Sequence, residues 1–168
     1  MRRGLAAALI VLLPPLVWWF FIRPIPVTVS VYFTRAQAGE TTLAPVTRVV
    51  RARSTETRLR EAYRALLAGP TAEERASGLS SEIPPGTRLR GIVVGAGVAA
   101  VDLTADVEQG GGSSSMQARV WQLVYTGTQF PAASHVRIFI EGQPRAALGG
   151  EGVVIDEPMP RPERTPTF

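Results

Sequence analysis

The sequence predicts an α+β domain: two helices packed on one face of a mixed four- to five-stranded sheet, preceded by one N-terminal transmembrane helix. Three observations carry this prediction. Residues 4–22 hold no charged side chain. Apolar residues alternate with polar ones in several short runs, the period of a strand with one buried face. In two longer runs they recur at i, i+3, i+4 and i+7, the stripe of an amphipathic helix.

The uncharged stretch comes first. Its 19 residues would make a helix of about 28 Å, close to the hydrocarbon thickness of a bilayer. Arg2 and Arg3 precede it, so residues 1–3 are expected in the cytoplasm and the rest of the chain outside. Trp18, Trp19 and Phe20 then lie at the outer headgroups, and Pro14-Pro15 predicts a kink. A cleaved signal peptide is the rival. Against it, bulky residues fill 16–22, where a small-residue cleavage site belongs. The nearest A-x-A, Ala36-Gln37-Ala38, lies beyond the first predicted strand. The expected division is therefore a cytoplasmic terminus (1–3), a signal anchor (4–22), a short linker (23–26), a folded domain (27–155) and a proline-rich tail without packed structure (156–168).

Within the domain, Val27, Val29, Val31 and Phe33 alternate with Thr28, Ser30 and Tyr32 as a strand. A polar loop over 35–42 leads to a second extended run, 43–50. Leu59, Ala62, Tyr63, Leu66 and Leu67 then form a helical stripe, with Ser54 as N-cap, Gly69 as its left-handed stop and Pro70 forbidding continuation. Thr71 and Glu74 have capping-box spacing for one short turn. Ile83-Pro84-Pro85-Gly86 is a rigid turn, and strands over 89–94 and 98–103 flank the hairpin signal Gly95-Ala96-Gly97. A Gly/Ser loop, 110–115, ends in serine caps for a second helix. Met116, Val120, Leu123, Val124 and Gly127 share its face, with Trp121 on the flank. Gly127 inside a helix costs about 1 kcal/mol relative to alanine unless something packs closely on it. Phe130-Pro131 stops the helix. Val136, Ile138 and Ile140 form the last clear strand, ended by Gly142, and 153–155 adds a short edge.

Composition narrows the function. The 168 residues include 18 basic and 14 acidic residues and no cysteine, which excludes disulfides, thiol catalysis, Cys-ligated metal and a lipid-modified cysteine. Arg2, Arg3 and Arg23 flank the uncharged stretch, and without them the net charge falls to +1. A nucleic-acid binder keeps its basic excess in the folded domain, so nucleic acid is discounted as a partner.

Several segments together resemble the GerMN domain, the sporulation and spore-germination module. They are Val31-Tyr32-Phe33, Leu43-Ala44-Pro45-Val46-Thr47-Arg48, Leu66-Leu67-Ala68-Gly69-Pro70-Thr71 with Glu74, and Gly78-Leu79-Ser80-Ser81-Glu82-Ile83-Pro84-Pro85-Gly86-Thr87. Val101-Asp102-Leu103-Thr104 follows, then the run from Gln122 through Phe130-Pro131 into Val136 and Gly142. The resemblance spans roughly residues 29–148. It implies a bacterial, extracytoplasmic, membrane-tethered module without known enzymatic activity, of the kind found in envelope assemblies. The chain departs from the family in its missing lipid-bearing cysteine, its single copy and its lack of a C-terminal immunoglobulin-like domain. It carries Gly127 where a large apolar residue is expected.

The motif residues have structural explanations as caps and turns: Gly69, Pro70, Thr71, Glu74, Gly78, Leu79, Ile83, Pro84, Gly86, Leu103, Phe130, Pro131 and Gly142. Asp102 is expected to accept backbone N–H bonds from the loop that follows it. His135, the one histidine, has no partner at catalytic or metal spacing. Ser113, Ser114 and Ser115 lack a nucleophile-elbow pattern. Gly91, Gly95 and Gly97 precede a strand, where a phosphate loop needs a helix. No cofactor or metal is expected. Arg48, Arg51, Arg53, Arg58, Arg60 and Arg64 form the densest basic stretch, a solvated face or a contact for anionic lipid or wall polymer. The expectation is a non-catalytic module that associates with other envelope proteins or with itself, through a sheet edge on the 27–33 or 136–140 strand or through a helix face. Binding of peptidoglycan or another anionic polymer is the alternative, and a wall hydrolase the remote third.

Overall fold

A computed structural model describes residues 23–37, 39–149 and 153–168. The expected anchor, 4–22, lies outside the described residues. Among the described residues no helix is long and apolar enough to cross a membrane.

The period-two runs form a long hairpin. Strand β1 (Ile25–Gln37) pairs antiparallel with β2 (Glu40–Ala52), in register from Ile25 opposite Ala52 to Gln37 opposite Glu40. The polar stretch expected as a loop is therefore strand: 35–37 and 40–42 continue the ladder, because polar side chains do not prevent backbone pairing once a tight turn fixes the register. Helix α1 (Thr55–Leu67) follows, its Ser54 Oγ accepting the Thr57 amide at 3.2 Å. Leu59, Ala62, Tyr63 and Leu66 are buried as the stripe predicts, while Leu67 is half-buried. The short helix α2 (Ala72–Ala76) carries the complete capping box of Thr71 and Glu74. Strand β3 (Leu79–Ser80) then pairs with β1 at Thr34 and Arg35.

A second sheet starts at β4 (Leu89–Gly95), which turns through Ala96 and Gly97, both at positive φ, into β5 (Gly97–Leu103). A 3-10 turn, Ala105–Glu108, leads to α3 (Ser113–Gly127). That helix is the crossover to β6 (Ala133–Ile140), parallel to β5. Its N-cap is Gly112 with no side-chain cap bond, so Ser113, Ser114 and Ser115 are helical residues rather than caps. Ser115 Oγ instead donates to Glu82 Oε2 at 2.6 Å.

The expected α+β domain, with its helices against a mixed five-stranded sheet, is present, and a second, three-stranded antiparallel sheet packs on the same helices in addition. The strand order is β2-β1-β3 in one sheet and β10-β6-β5-β4 in the other, with β10 the short strand Met159–Pro160. Helix α1 packs on β1, β2 and β4, and α3 packs on β1 and β6. The helices thus lie between two sheets and must be apolar on more than one side. In α3, Ala118, Val120, Leu123, Val124 and Tyr125 are buried, and so are Arg119, Gln122 and Thr126.

The tail is corrected too. Strand β10 (Met159–Pro160) pairs with β6 at Val136 and His135, and Thr167 bridges to Thr42 on β2. Between them Arg161 stacks on Tyr125 and Tyr32, with guanidinium-to-ring distances of 4.7 and 5.1 Å. One arginine on two aromatic faces gives this core-poor segment its anchorage. The remaining short strands are β7 (Gln143–Pro144) on β6, and the pair β8 (Ala147–Leu148) and β9 (Val153–Val154).

Candidate interaction surface

Neither strand expected to offer an edge does so. Strand β6 lies between β5 and β10, and β1 lies between β2 and β3. Where β3 ends, α3 and the turn after it take over the free side of β1. Gln129 accepts the Ser30 amide at 2.8 Å and donates to the Ser30 carbonyl at 3.0 Å. Thr126 Oγ1 accepts the Tyr32 amide at 3.2 Å, and Gln122 Nε2 donates to the Tyr32 carbonyl at 3.0 Å. Side-chain amides and a hydroxyl thus stand in for a neighbouring strand and satisfy backbone groups that would otherwise be costly to bury.

Among the described residues the outermost strands are β2 and β3 in one sheet and β4 and β10 in the other; β3 and β10 are two residues each, so the long edges are β2 and β4. Register identifies what β2 presents. Thr41 exchanges both backbone bonds with Phe168, at 3.3 and 3.0 Å, so it faces away from β1. Antiparallel alternation repeats that orientation at Leu43, Pro45, Thr47, Val49 and Arg51. Pro45 has no N–H to offer, a common trait of edge strands. Past the Thr42–Thr167 bridge, among the described residues, no strand covers this edge. Val49 beside it is 73% exposed, and Val93 on β4 is 64% exposed. Helix α1, packed on both β2 and β4, fills the flank between the two edges.

The six arginines of the basic stretch do not form one patch. Arg48 grips the Glu74 carboxylate with two bonds of 2.6 Å, its guanidinium 5.9 Å from the Phe33 ring. Arg60 binds Glu56 at 2.8 Å and Arg64 binds Glu61 at 2.6 Å, both within α1. Arg58 lies 5.8 Å from the Phe130 ring. Arg53 donates to the carbonyl of Arg23, and Arg51 is exposed at the end of β2.

The family-motif residues gather at the other end of α1. Gly69, at φ +78°, ends the helix in the left-handed region that glycine adopts without strain. Pro70 is buried behind it. Thr71 donates its amide to Glu74 at 2.8 Å and accepts the Glu74 amide at 3.3 Å. The Arg48 hydrogen bonds, more than any other influence, hold the Glu74 carboxyl below the usual carboxylate range. Gly78 turns the chain into β3, where Leu79 is buried. Ile83 is buried, and the Pro84 carbonyl accepts both the amide and the hydroxyl of Thr87 across the turn containing Gly86. A groove of about 540 Å³ runs between these turns, lined by Leu67, Pro70, Arg75, Ser80, Ser81 and Ile83 among others.

Asp102 accepts a backbone N–H, but from Gly142 in the β6–β7 turn at 2.8 Å rather than from the loop that follows it. Arg90 reaches Asp102 and Glu141, each at 3.3 Å. Leu103 is fully buried, the Phe130 carbonyl accepts the Ala133 amide, and Pro131 is exposed. His135 is half-buried with Nδ1 2.9 Å from Ser134 Oγ. Among the described residues no group of three or more His, Asp or Glu is placed to hold a metal ion.

Sequence reasoning missed Arg119. It is 2% exposed, and its guanidinium donates to the carbonyls of Glu82, Val107, Gln109 and Gly110. Burial lowers its affinity for the proton. One cation thereby fixes the Gly-rich loop to the turn before β4.

A family model described as Germane, sporulation and spore germination, matches residues 30–146. Solved structures share the fold. The tandem GerMN domains of the sporulation protein GerM from Bacillus subtilis match at TM-score 0.64 and 18% identity, covering 83% of this chain and 47% of that one. The first GerMN domain of the same protein matches at 0.62 and 20% identity, covering 80% of this chain and 98% of that one. A lipoprotein candidate from Clostridium perfringens matches at 0.59 and 20% identity, covering 81% and 88%. The chain thus spans about half the length of the tandem-domain structure. No curated protein matches the chain.

Proposed function

This chain belongs to the Germane family of sporulation and spore-germination domains, and from that premise we propose that it is a non-catalytic association module of the bacterial envelope. Residues 4–22 tether it to the cytoplasmic membrane, N-terminus inside and domain outside, and its partners are other envelope proteins or further copies of itself. The observation that supports this reading is the open flank. The long edge strands of two different sheets, β2 and β4, border the same helix, while the chain closes β1 with glutamine side chains and β6 with its own tail. Unpaired strand edges are templates for another chain, and natural proteins cover those they do not use. Tethering raises the effective concentration of such an edge toward other anchored proteins.

A photo-crosslinking residue at Thr47 or Val93 of the full chain, in living cells, tests this. Discrete adducts with one envelope protein or a second copy are expected. Adducts no stronger than those from Glu163, on the exposed tail, would refute the flank as the contact. The alternative, a wall-polymer site, draws on the groove lined by Arg75, Ser80 and Ser81. Cosedimentation with isolated cell wall, lost in Arg75→Ala, would favour it.

A further inference from the structure

We propose that the strand ends next to the expected membrane span form a lipid-headgroup surface, in which Arg23, Arg51, Arg53 and Arg58 rest on anionic phospholipid. The proposal rests on the tethered reading above. Its residues come from three places in the chain and meet through the register. Ile25 pairs with Ala52 and Pro26 with Arg51, so the end of β2 lies beside the point where the chain enters the domain. Arg53 closes this end by donating to the Arg23 carbonyl. Helix α1 starts at Thr55, which puts Arg58 in its first turns, stacked on Phe130. Ile25, 45% exposed, supplies an apolar residue among them.

Charge is divided along the molecule. Over 23–28 and 49–58 there are four arginines and one carboxylate, Glu56, and that carboxylate is bound to Arg60 at 2.8 Å. Farther along, charges of both signs mix: Glu40, Glu73, Glu74, Asp106, Glu108 and Glu141 share that end with Arg35, Arg75, Arg88 and Arg90, and Arg90 itself reaches Glu141. The domain therefore carries a local basic excess toward the span and is near charge balance elsewhere.

Tether length makes the contact hard to avoid. From residue 22 to Ile25 the chain reaches at most about 10 Å, close to one Debye length at physiological salt. Arginines held that near an anionic bilayer gain about fivefold each in surface residence, so three or four act together by about two to three orders of magnitude. The occupant is a lipid surface rather than a wall polymer because the uncharged stretch ends where this patch begins. Docking there stands the hairpin upright, with the β1–β2 tip and the motif groove pointing away from the bilayer.

The chain has no cysteine, so one introduced thiol labels one position. The full chain, labelled at Thr28→Cys near the base or Gln37→Cys near the tip, is reconstituted into vesicles bearing a headgroup quencher. The vesicles are phosphatidylcholine alone or equimolar with phosphatidylglycerol. Quenching at position 28 is expected to rise severalfold with phosphatidylglycerol, to fall back in Arg51→Gln/Arg53→Gln/Arg58→Gln, and to stay low at position 37. Arg51→Gln/Arg53→Gln, which leaves the Phe130 stack intact, is expected to fall between the two. Quenching at position 28 indifferent to phosphatidylglycerol or to the arginines, in protein that still floats with vesicles after carbonate washing, overturns this proposal alone. Failure to float overturns the tether and this proposal with it. Arginine-dependent sedimentation with isolated wall, without the lipid dependence, assigns the surface to a polymer and also overturns it.

Discussion

Gly127 lies directly against Tyr63: a Cβ at position 127 would stand 2.3 Å from the Tyr63 hydroxyl and 2.3 Å from Val136 Cγ2. The glycine that weakens α3 in isolation is what allows the α1 tyrosine to reach that helix and donate to the Leu123 carbonyl at 2.8 Å. Burial pushes the Tyr63 phenol further above its usual pKa, so it stays a donor across the working pH range. Gly127→Ala is therefore expected to destabilise the protein by about 1–3 kcal/mol, despite alanine's better helix propensity. Tyr63→Phe/Gly127→Ala recovers part of the loss, since Val136 still obstructs. A double-mutant cycle from urea midpoints checks both, and a neutral Gly127→Ala would place Tyr63 elsewhere.

That contact shows how far the sequence can be read. Strands and helices were legible because each carries its own periodicity, and Ser54, Gly69 and the Thr71–Glu74 box because capping chemistry is local. The layer count was not, since α3 shows one apolar stripe and its second buried side is built from Gln122 and Thr126, which look solvent-facing until a strand edge is placed beside them. The tail was misread for a related reason. Its order depends on Arg161 meeting Tyr32 and Tyr125, residues 129 and 36 positions away. The basic stretch read as one patch because alternation between faces and pairing with Glu56, Glu61 and Glu74 are three-dimensional facts.

The Arg48–Glu74 pair couples β2 to α2 and gives stability a pH dependence. The Glu74 carboxyl titrates lower in the folded protein than unfolded. Its contribution is thus full above an unfolded pKa of about 4.3 and is lost as pH falls through the lower folded value. Glu74→Gln keeps the capping box, where Gln serves as well as Glu, and removes only the charge. It should cost about 1 kcal/mol at neutral pH, given that the pair is partly exposed, and progressively less as pH falls through the folded-state value. Denaturation midpoints across that range test this, and a constant difference at all pH values would contradict it.

Arg161 holds the tail by stacking on two rings and donating to the Tyr125 carbonyl at 2.6 Å. Arg161→Ala should destabilise the protein by about 1–3 kcal/mol. Truncation after Ile155 has a further consequence, because it uncovers β6 at Val136 and β2 at Thr41. The shortened protein should self-associate in dilute solution where the full-length one does not. Light scattering at equal detergent and protein concentrations decides this, and identical scattering would mean the tail covers nothing that another chain can use.

The open edge of β2 permits a sharper test of function than deletion. Thr47 faces away from β1, as Pro45 does, so its amide is not used in the β1–β2 ladder. Thr47→Pro removes an outward donor and leaves the inward bonds intact, a position where sheets tolerate proline. Stability should change by less than about 1 kcal/mol. Thr47→Lys places a charge beside the edge, a device by which natural sheets discourage pairing. Both variants should accumulate in the membrane at normal levels and lose the crosslinks formed from Val93 across the same flank. Val46→Pro, in which the lost amide faces β1, should instead unfold the hairpin, and so separates loss of an edge from loss of the fold. If Thr47→Pro and Thr47→Lys keep both their crosslinked neighbours and their cellular function, association does not run through this strand and must use the helix face or the motif groove.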